Sequence, residues 1–203
     1  MCSASSGTRT PYRKFIIPLL LALFSSVGAR AQNVAIKTNL LYDATATVNL
    51  GVEVGLAPKW TLDLSGNLNA WTLKENAKWK HWLVQPEARY WFCDRFSGHF
   101  LGVHAHAGQF NFGGIKNNLS FLGSDFSQLT NHRYQGIGVG AGITYGYDFI
   151  LGRHWNLELA LGAGYVYSKY DVFECAGCGR NVGQDNHHYV GLTKLAVNLV
   201  YLF

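Results

Sequence analysis

The residues best suited to chemistry fall in four places. Cys175-Ala176-Gly177-Cys178 has the C-x-x-C spacing of a redox dithiol, of half a zinc site, or of a short structural disulfide. No βαβ pattern surrounds it, which disfavours redox work, and Cys93 lies in a tight turn on the opposite side of the fold derived below. A local disulfide between Cys175 and Cys178 is the favoured reading; a metal site completed by His187 and His188, or unpaired thiols, are the alternatives. His104 and His106, two apart, could begin a zinc site, but no third ligand is specified. Ser65, His104 and Glu158 supply a nucleophile, a base and an acid, yet no local signature sets the nucleophile beside the base. The run Gly136-x-Gly138-x-Gly140-x-Gly142 has a strict period of two and no helix after it, so it is not a phosphate loop; glycine there leaves room for facing side chains. No catalytic, cofactor-binding or metal-binding residue is therefore assigned.

The elements that would carry these residues alternate with a period of two after Gln32. Eight segments do so. The last is plainest, with Leu195, Val197, Leu199, Tyr201 and Phe203 opposed to Lys194, Ala196 and Asn198. Ile137 to Phe149 oppose the glycine ladder, and Leu101, Val103, Ala105 and Ala107 oppose His104 and His106. The weakest is the first, Val34, Ile36 and Leu40 against Lys37 and Asn39. In each segment one face is Leu, Val, Ile and aromatic, and the other is Gly, Asn, Thr and charge. Lys37, Glu53, Asp63, Glu87, Arg89, Asp148, Glu158 and Lys194 all fall on the small and polar face.

Short links (Ala57-Pro58-Lys59, 93–98 and 151–154) alternate with long ones (72–81, 111–133 and 169–187). An even number of strands, apolar outside and polar inside, with short turns at one end and long loops at the other, predicts an all-β fold: an eight-stranded antiparallel transmembrane barrel over residues 32–203. Eight strands enclose a lumen that side chains fill, so the eight charged residues are expected to form an internal network. Two aromatic belts are expected: Trp60, Tyr90, Phe92, Phe149, Trp155, Tyr201 and Phe203 at the short-turn end, and Trp82, Phe110, Tyr134, Tyr167 and Tyr189 at the other. Pro86 sits mid-strand on the apolar face and predicts a bulge. The long loop 111–133 mixes apolar and polar residues, as either a self-packed loop or a binding surface would.

Residues 1–31 read as a secretory signal. Arg9, Arg13 and Lys14 precede the apolar stretch Phe15 to Val27, and Ala29-Arg30-Ala31 offers a small-x-small cleavage site. The whole chain has 17 basic and 12 acidic residues. Without Arg9, Arg13, Lys14 and Arg30 the balance is 13 against 12, so the charge gives no support to nucleic-acid binding.

Several stretches carry a resemblance: Asn39-Leu40-Leu41-Tyr42-Asp43, Tyr134-Gln135-Gly136, Tyr145-Gly146-Tyr147, Trp155-Asn156-Leu157-Glu158, and Gly191-Leu192-Thr193-Lys194 with the closing Leu199-Val200-Tyr201-Leu202-Phe203. Together they resemble an uncharacterised Bacteroidetes family of outer-membrane barrels, a DUF3575-like family often encoded near fimbrial genes. The likeness covers nearly all of residues 32–203, although that family more often has proline where Leu192 stands. It implies an outer-membrane location and brings no catalytic residues or cofactors. The functional expectation is a non-enzymatic surface or envelope protein, structural, adhesive or fimbria-associated, acting through its outer loops. Its partners would be outer-membrane lipid and fimbrial, envelope or host-surface molecules. The alternative is a lipid-modifying barrel enzyme acting on lipopolysaccharide or phospholipid.

Overall fold

The computed structural model describes residues 33–71, 78–113, 120–121, 124–125, 133–174 and 179–203. The expected signal, residues 1–31, and the Cys175/Cys178 pair lie outside them. Strands β1 (Val34–Asn39), β2 (Val48–Ala57), β3 (Trp60–Asn69), β4 (Lys78–Trp91), β5 (Gly98–Gly113), β8 (Arg133–Ile150), β9 (Trp155–Phe173) and β10 (Asn181–Leu202) each pair antiparallel with the next. β1 closes the ring against β10, from Ala35↔Leu202 to Asn39↔Asn198. A separate two-residue pair, β6 (Ser120–Phe121) and β7 (Ser124–Asp125), lies between β5 and β8. One turn of helix, α1 (Leu40–Ala44), joins β1 to β2. The fold is the eight-stranded antiparallel barrel that the alternation predicts.

Alternation decides what faces where. Val103 and Ile143 stand opposite each other on neighbouring strands and are each 65% exposed, while the next residues inward, His104 and Thr144, are 1% exposed. The interior therefore holds the polar residues, and the outside carries the aliphatic ones. The glycine ladder acts as spacing: a Cβ at Gly140 would lie 2.4 Å from His106 Nε2, and one at Gly146 would lie 2.3 Å from Phe100 Cζ. At the short-turn end Trp60, Tyr90, Phe92, Phe149, Trp155 and Phe203 are all exposed on the outer face, with Trp155 and Tyr201 rings 4.9 Å apart.

Several expectations need correction. Pro86 makes no bulge: β4 keeps one register with β3, and with β5 it resumes unshifted from Val84↔Ala107 to Glu87↔His104. A missing donor leaves a gap in the ladder rather than an extra residue. A bulge occurs instead at Thr193, where Leu192↔Ala163 is followed by Lys194↔Gly162. That extra residue reverses the alternation, so Tyr189 lies over Gly191 on the inner side rather than in an outer belt. Phe110 and Tyr134 share the parity of His106 and Gly136 and also face inward; Phe110 stacks 5.6 Å from Phe112, and Tyr134 meets Tyr170 at 5.7 Å. Finally, 169–187 is mostly not loop. β9 and β10 continue as a hairpin through Lys169↔Asn186 and Asp171↔Gln184, because backbone pairing needs no apolar face once both sides are polar.

The wall is uneven. β1 has 6 residues and β10 has 22. The first segment stops at Asn39 because its side chain caps α1, accepting from Leu41 N at 3.1 Å, and Leu40 begins the helix instead of continuing the strand.

Candidate functional site

Inside the ring, the register creates an electrostatic problem. Glu53 pairs with Asp63 and Asp63 with Glu87, which sets three carboxylates side by side across β2, β3 and β4. Glu158 faces them from β9. Like charges abreast on one face repel, more so in a dry interior. Two cations resolve it by sitting at the centre. Arg89, wholly buried, reaches Glu87 at 2.8 Å, Glu53 at 2.8 Å, Glu158 at 2.7 Å and Asp63 at 3.3 Å. The Lys37 ammonium meets Glu53, Asp63 at 3.3 Å and Glu158 at 3.0 Å. Lys194 pairs with Glu87 at 2.5 Å. Neutral donors complete the acceptors: Thr61 to Glu53, Thr144 to Glu87 at 3.2 Å, and Asn198 to Glu158 at 2.7 Å.

Seven of the eight charged residues singled out from the sequence thus meet in one cluster. Asp148 does not. It is buried opposite Glu158, and it accepts a hydrogen bond from Asn156 at 3.1 Å; no ion pair among the described residues includes it.

Aromatic residues that the sequence reading passed over close the short-turn end beneath this cluster. Trp91 and Phe100 are fully buried with rings 4.8 Å apart, and the Arg89 guanidinium lies 4.5 Å over the Phe100 ring. Phe96 reaches Trp91 from the β4–β5 turn, held at φ 61, an uncommon conformation for a bulky residue that its burial offsets. Their parity with Arg89 and Gly102 was the available signal.

Towards the long-connection end the lining changes character. Leu83, Phe110, Phe112, Val166 and Tyr189 border a cavity of about 790 Å³ whose floor is His106, Thr193 and Lys194. A smaller polar space of about 70 Å³ lies beside the ion cluster, bordered by Asn67, Gln85 and Asn198.

The remaining chemical candidates are placed as follows. His104 bonds Thr144 Oγ1 at 2.8 Å and Thr193 Oγ1 at 3.0 Å, and its ring stacks 5.7 Å from His106. Ser65 donates to the Gln85 carbonyl at 3.3 Å, and Glu158 is engaged by Arg89, Lys37 and Asn198, so Ser65, His104 and Glu158 share the lumen without bonding one another. His187 and His188 are consecutive in β10, which turns them to opposite faces; His188 Nδ1 is 2.5 Å from the Tyr165 hydroxyl. Cys93 is an exposed free thiol in the β4–β5 turn. No group of three metal-ligating side chains occurs among the described residues.

Comparison with curated proteins finds no match. A family profile described as a protein of unknown function, DUF3575, matches residues 15–203, and the chain belongs to that family.

Proposed function

We propose that the chain is exported by residues 1–31 and inserted in the outer membrane of a Gram-negative cell as a plugged, non-enzymatic barrel. It serves there as a surface or envelope protein, structural, adhesive or fimbria-associated, through the connections at its long-loop end. One observation carries the reading: aliphatic residues such as Val48, Leu56, Val103, Ile143 and Leu161 are 55–68% exposed around the outside, while the ionised residues are shut within. Such a surface in water would be an aggregation hazard, and in hydrocarbon it is the stable arrangement. The ion cluster and the Trp91–Phe100 pair lie across the interior, which supports the reading of an anchor and display platform rather than a porin.

Three measurements test it. The mature protein should require detergent or lipid to remain folded and monomeric, and a detergent-free folded monomer overturns membrane insertion. Reconstituted in planar bilayers it should show no porin-like conductance. A deletion strain with unchanged surface adhesion, envelope resistance and fimbriation removes the proposed role.

A further inference from the structure

We propose that the upper lumen is a binding chamber for one neutral, single-chain amphiphile, which enters sideways from the surrounding lipid through a break in the wall at α1. The proposal rests on the membrane reading above and goes beyond it by assigning a ligand class and a route.

The chamber has the dimensions and chemistry of a small-molecule site. Its volume of about 790 Å³ falls within the range of such pockets, roughly 300–1,000 Å³. Its walls, Leu83, Phe110, Val166 and Tyr189, are apolar or aromatic, although they lie on the inner face, which lower in the barrel is given over to ions. Two polar atoms on its lining have no hydrogen-bond partner among the described residues, Asn67 Oδ1 and His106 Nδ1, and His106 is 8% exposed. Such an atom costs roughly 1–3 kcal/mol unless something bonds it. A hydroxyl or ester head beside His106, with its chain along Phe110 and Val166, would satisfy both surfaces. An anionic head is disfavoured, because the cluster below sets three cations, Lys37, Arg89 and Lys194, against four carboxylates, Glu53, Asp63, Glu87 and Glu158. That floor carries no spare positive charge for a carboxylate.

The route follows from the register. β1 pairs with β10 only as far as Asn39↔Asn198, and with β2 only from Val34↔Val54 to Lys37↔Gly51. Beyond those points the neighbouring edges of β10 and β2 share no strand, and α1 stands between them. Asn39 holds both edges: side-chain Nδ2 donates to the Leu195 carbonyl at 3.4 Å, Oδ1 accepts from Val197 N at 3.3 Å, and the backbone N donates to Asn49 Oδ1 at 2.6 Å. The chamber is bordered by His106 and Phe110 from inside the barrel and also by Leu41 and Leu195, which are 40% and 54% exposed on the outside. The chamber thus meets the wall where β1 has ended, and the neighbouring side chains there, Leu41 and Leu195, are aliphatic, as a hydrocarbon chain requires.

Photolabelling tests this. The mature barrel is placed in phosphatidylcholine nanodiscs containing a monoacylglycerol with a diazirine near its chain terminus, irradiated, and mapped by mass spectrometry. Labels are expected on inner residues Phe110, Val166 or Tyr189 as well as on the outer band at Val103 and Ile143. Gly138→Leu should abolish the inner labels alone, since a Cβ there makes only ordinary van der Waals contact, 3.9 Å from Val166 Cγ1, and the added side chain fills the chamber. His106→Leu, which breaks no hydrogen bond at Nδ1, should also reduce inner labelling. Labels confined to the outer band, or inner labels that survive Gly138→Leu, overturn the chamber while leaving the membrane reading intact. Inner labelling unchanged in His106→Leu overturns the assigned head contact, and labels on neither face remove both readings.

Discussion

Arg89 Nη1 lies 2.7 Å from Glu158 Oε2, a link that crosses the lumen from β4 to β9, strands that are not neighbours in the ring. Strand pairing fixes the circumference of a barrel, but only contacts across the lumen resist its flattening. Arg89 is suited to this because its planar fork reaches carboxylates on several sides at once, whereas an ammonium is a single point of charge.

Replacing Arg89 by Met should therefore be among the most damaging single changes. It leaves Glu53, Asp63, Glu87 and Glu158 facing Lys37 and Lys194 alone, and removing one partner of a buried ionic group costs about 3–5 kcal/mol. Arg89→Met with Glu158→Gln should recover part of this loss, because the double change removes a carboxylate along with its cation. Urea unfolding of the refolded barrel, followed by tryptophan fluorescence, measures both. A double variant no more stable than Arg89→Met alone would show that the pair is not coupled.

Glycine spacing gives a second, local prediction. Gly146→Ala brings a Cβ within 2.3 Å of the Phe100 ring and 2.8 Å of the Leu159 carbonyl, so it should destabilise by about 1–3 kcal/mol as overpacking does. Gly138→Ala, on the same strand with the same parity, meets nothing nearer than 3.9 Å and should be close to neutral. Equal effects in the same unfolding assay would mean that strand propensity, not the facing side chain, governs the ladder.

Much of this was readable before any coordinates. A period of two tells each side chain which face it takes, so the eight strands and the common face of Glu53, Asp63, Glu87 and Arg89 follow from the residues. Phe110 obeys the same rule, sharing the parity of His104 and His106; its place at a strand end suggested a belt, and that suggestion was weaker evidence than parity. Tyr189 was not readable, because nothing in Leu192-Thr193-Lys194 announces an extra residue, and one unannounced bulge inverts the strand from Leu192 to the next register shift at Gly183. Nor was the end of β1. Asn39 continues the alternation as well as it caps a helix, and only the tertiary contacts to Asn49 and Leu195 decide between them. Asp148 shares the charged face and stands opposite Glu158, yet its partner among the described residues is Asn156 rather than Arg89, a choice that alternation alone does not encode.

The membrane reading makes a prediction of its own. Val103 and Ile143 are paired across β5 and β8, each 65% exposed on the outer face. Val103→Arg should lower the stability of the barrel in lipid vesicles by about 2–4 kcal/mol, the cost of a charge near the hydrocarbon midplane. On a water-facing surface the same change would be almost free. Folding titrations in vesicles, read by the difference in gel migration between folded and unfolded barrel, separate the two, and an unperturbed Val103→Arg counts against insertion.

Deletions in β10 offer a sharper test of register. A residue taken from a strand ordinarily turns its neighbours over, but Thr193 is the surplus residue between Leu192↔Ala163 and Lys194↔Gly162. Deleting it removes the bulge and leaves both pairs, and the faces of Tyr189 and Leu195, where they are. The loss is the hydrogen bond to His104 Nε2 at 3.0 Å, worth about 1 kcal/mol. Deleting Val197, four residues on, has no such slack. It turns Lys194 outward, breaks its 2.5 Å pair with Glu87 and carries Leu195 into the ion cluster. The shorter chain lacking Thr193 should therefore refold to a protease-resistant barrel while the one lacking Val197 does not. If both fold equally, β10 holds its register too loosely for the bulge to matter, and the inward placement of Tyr189 loses its physical basis.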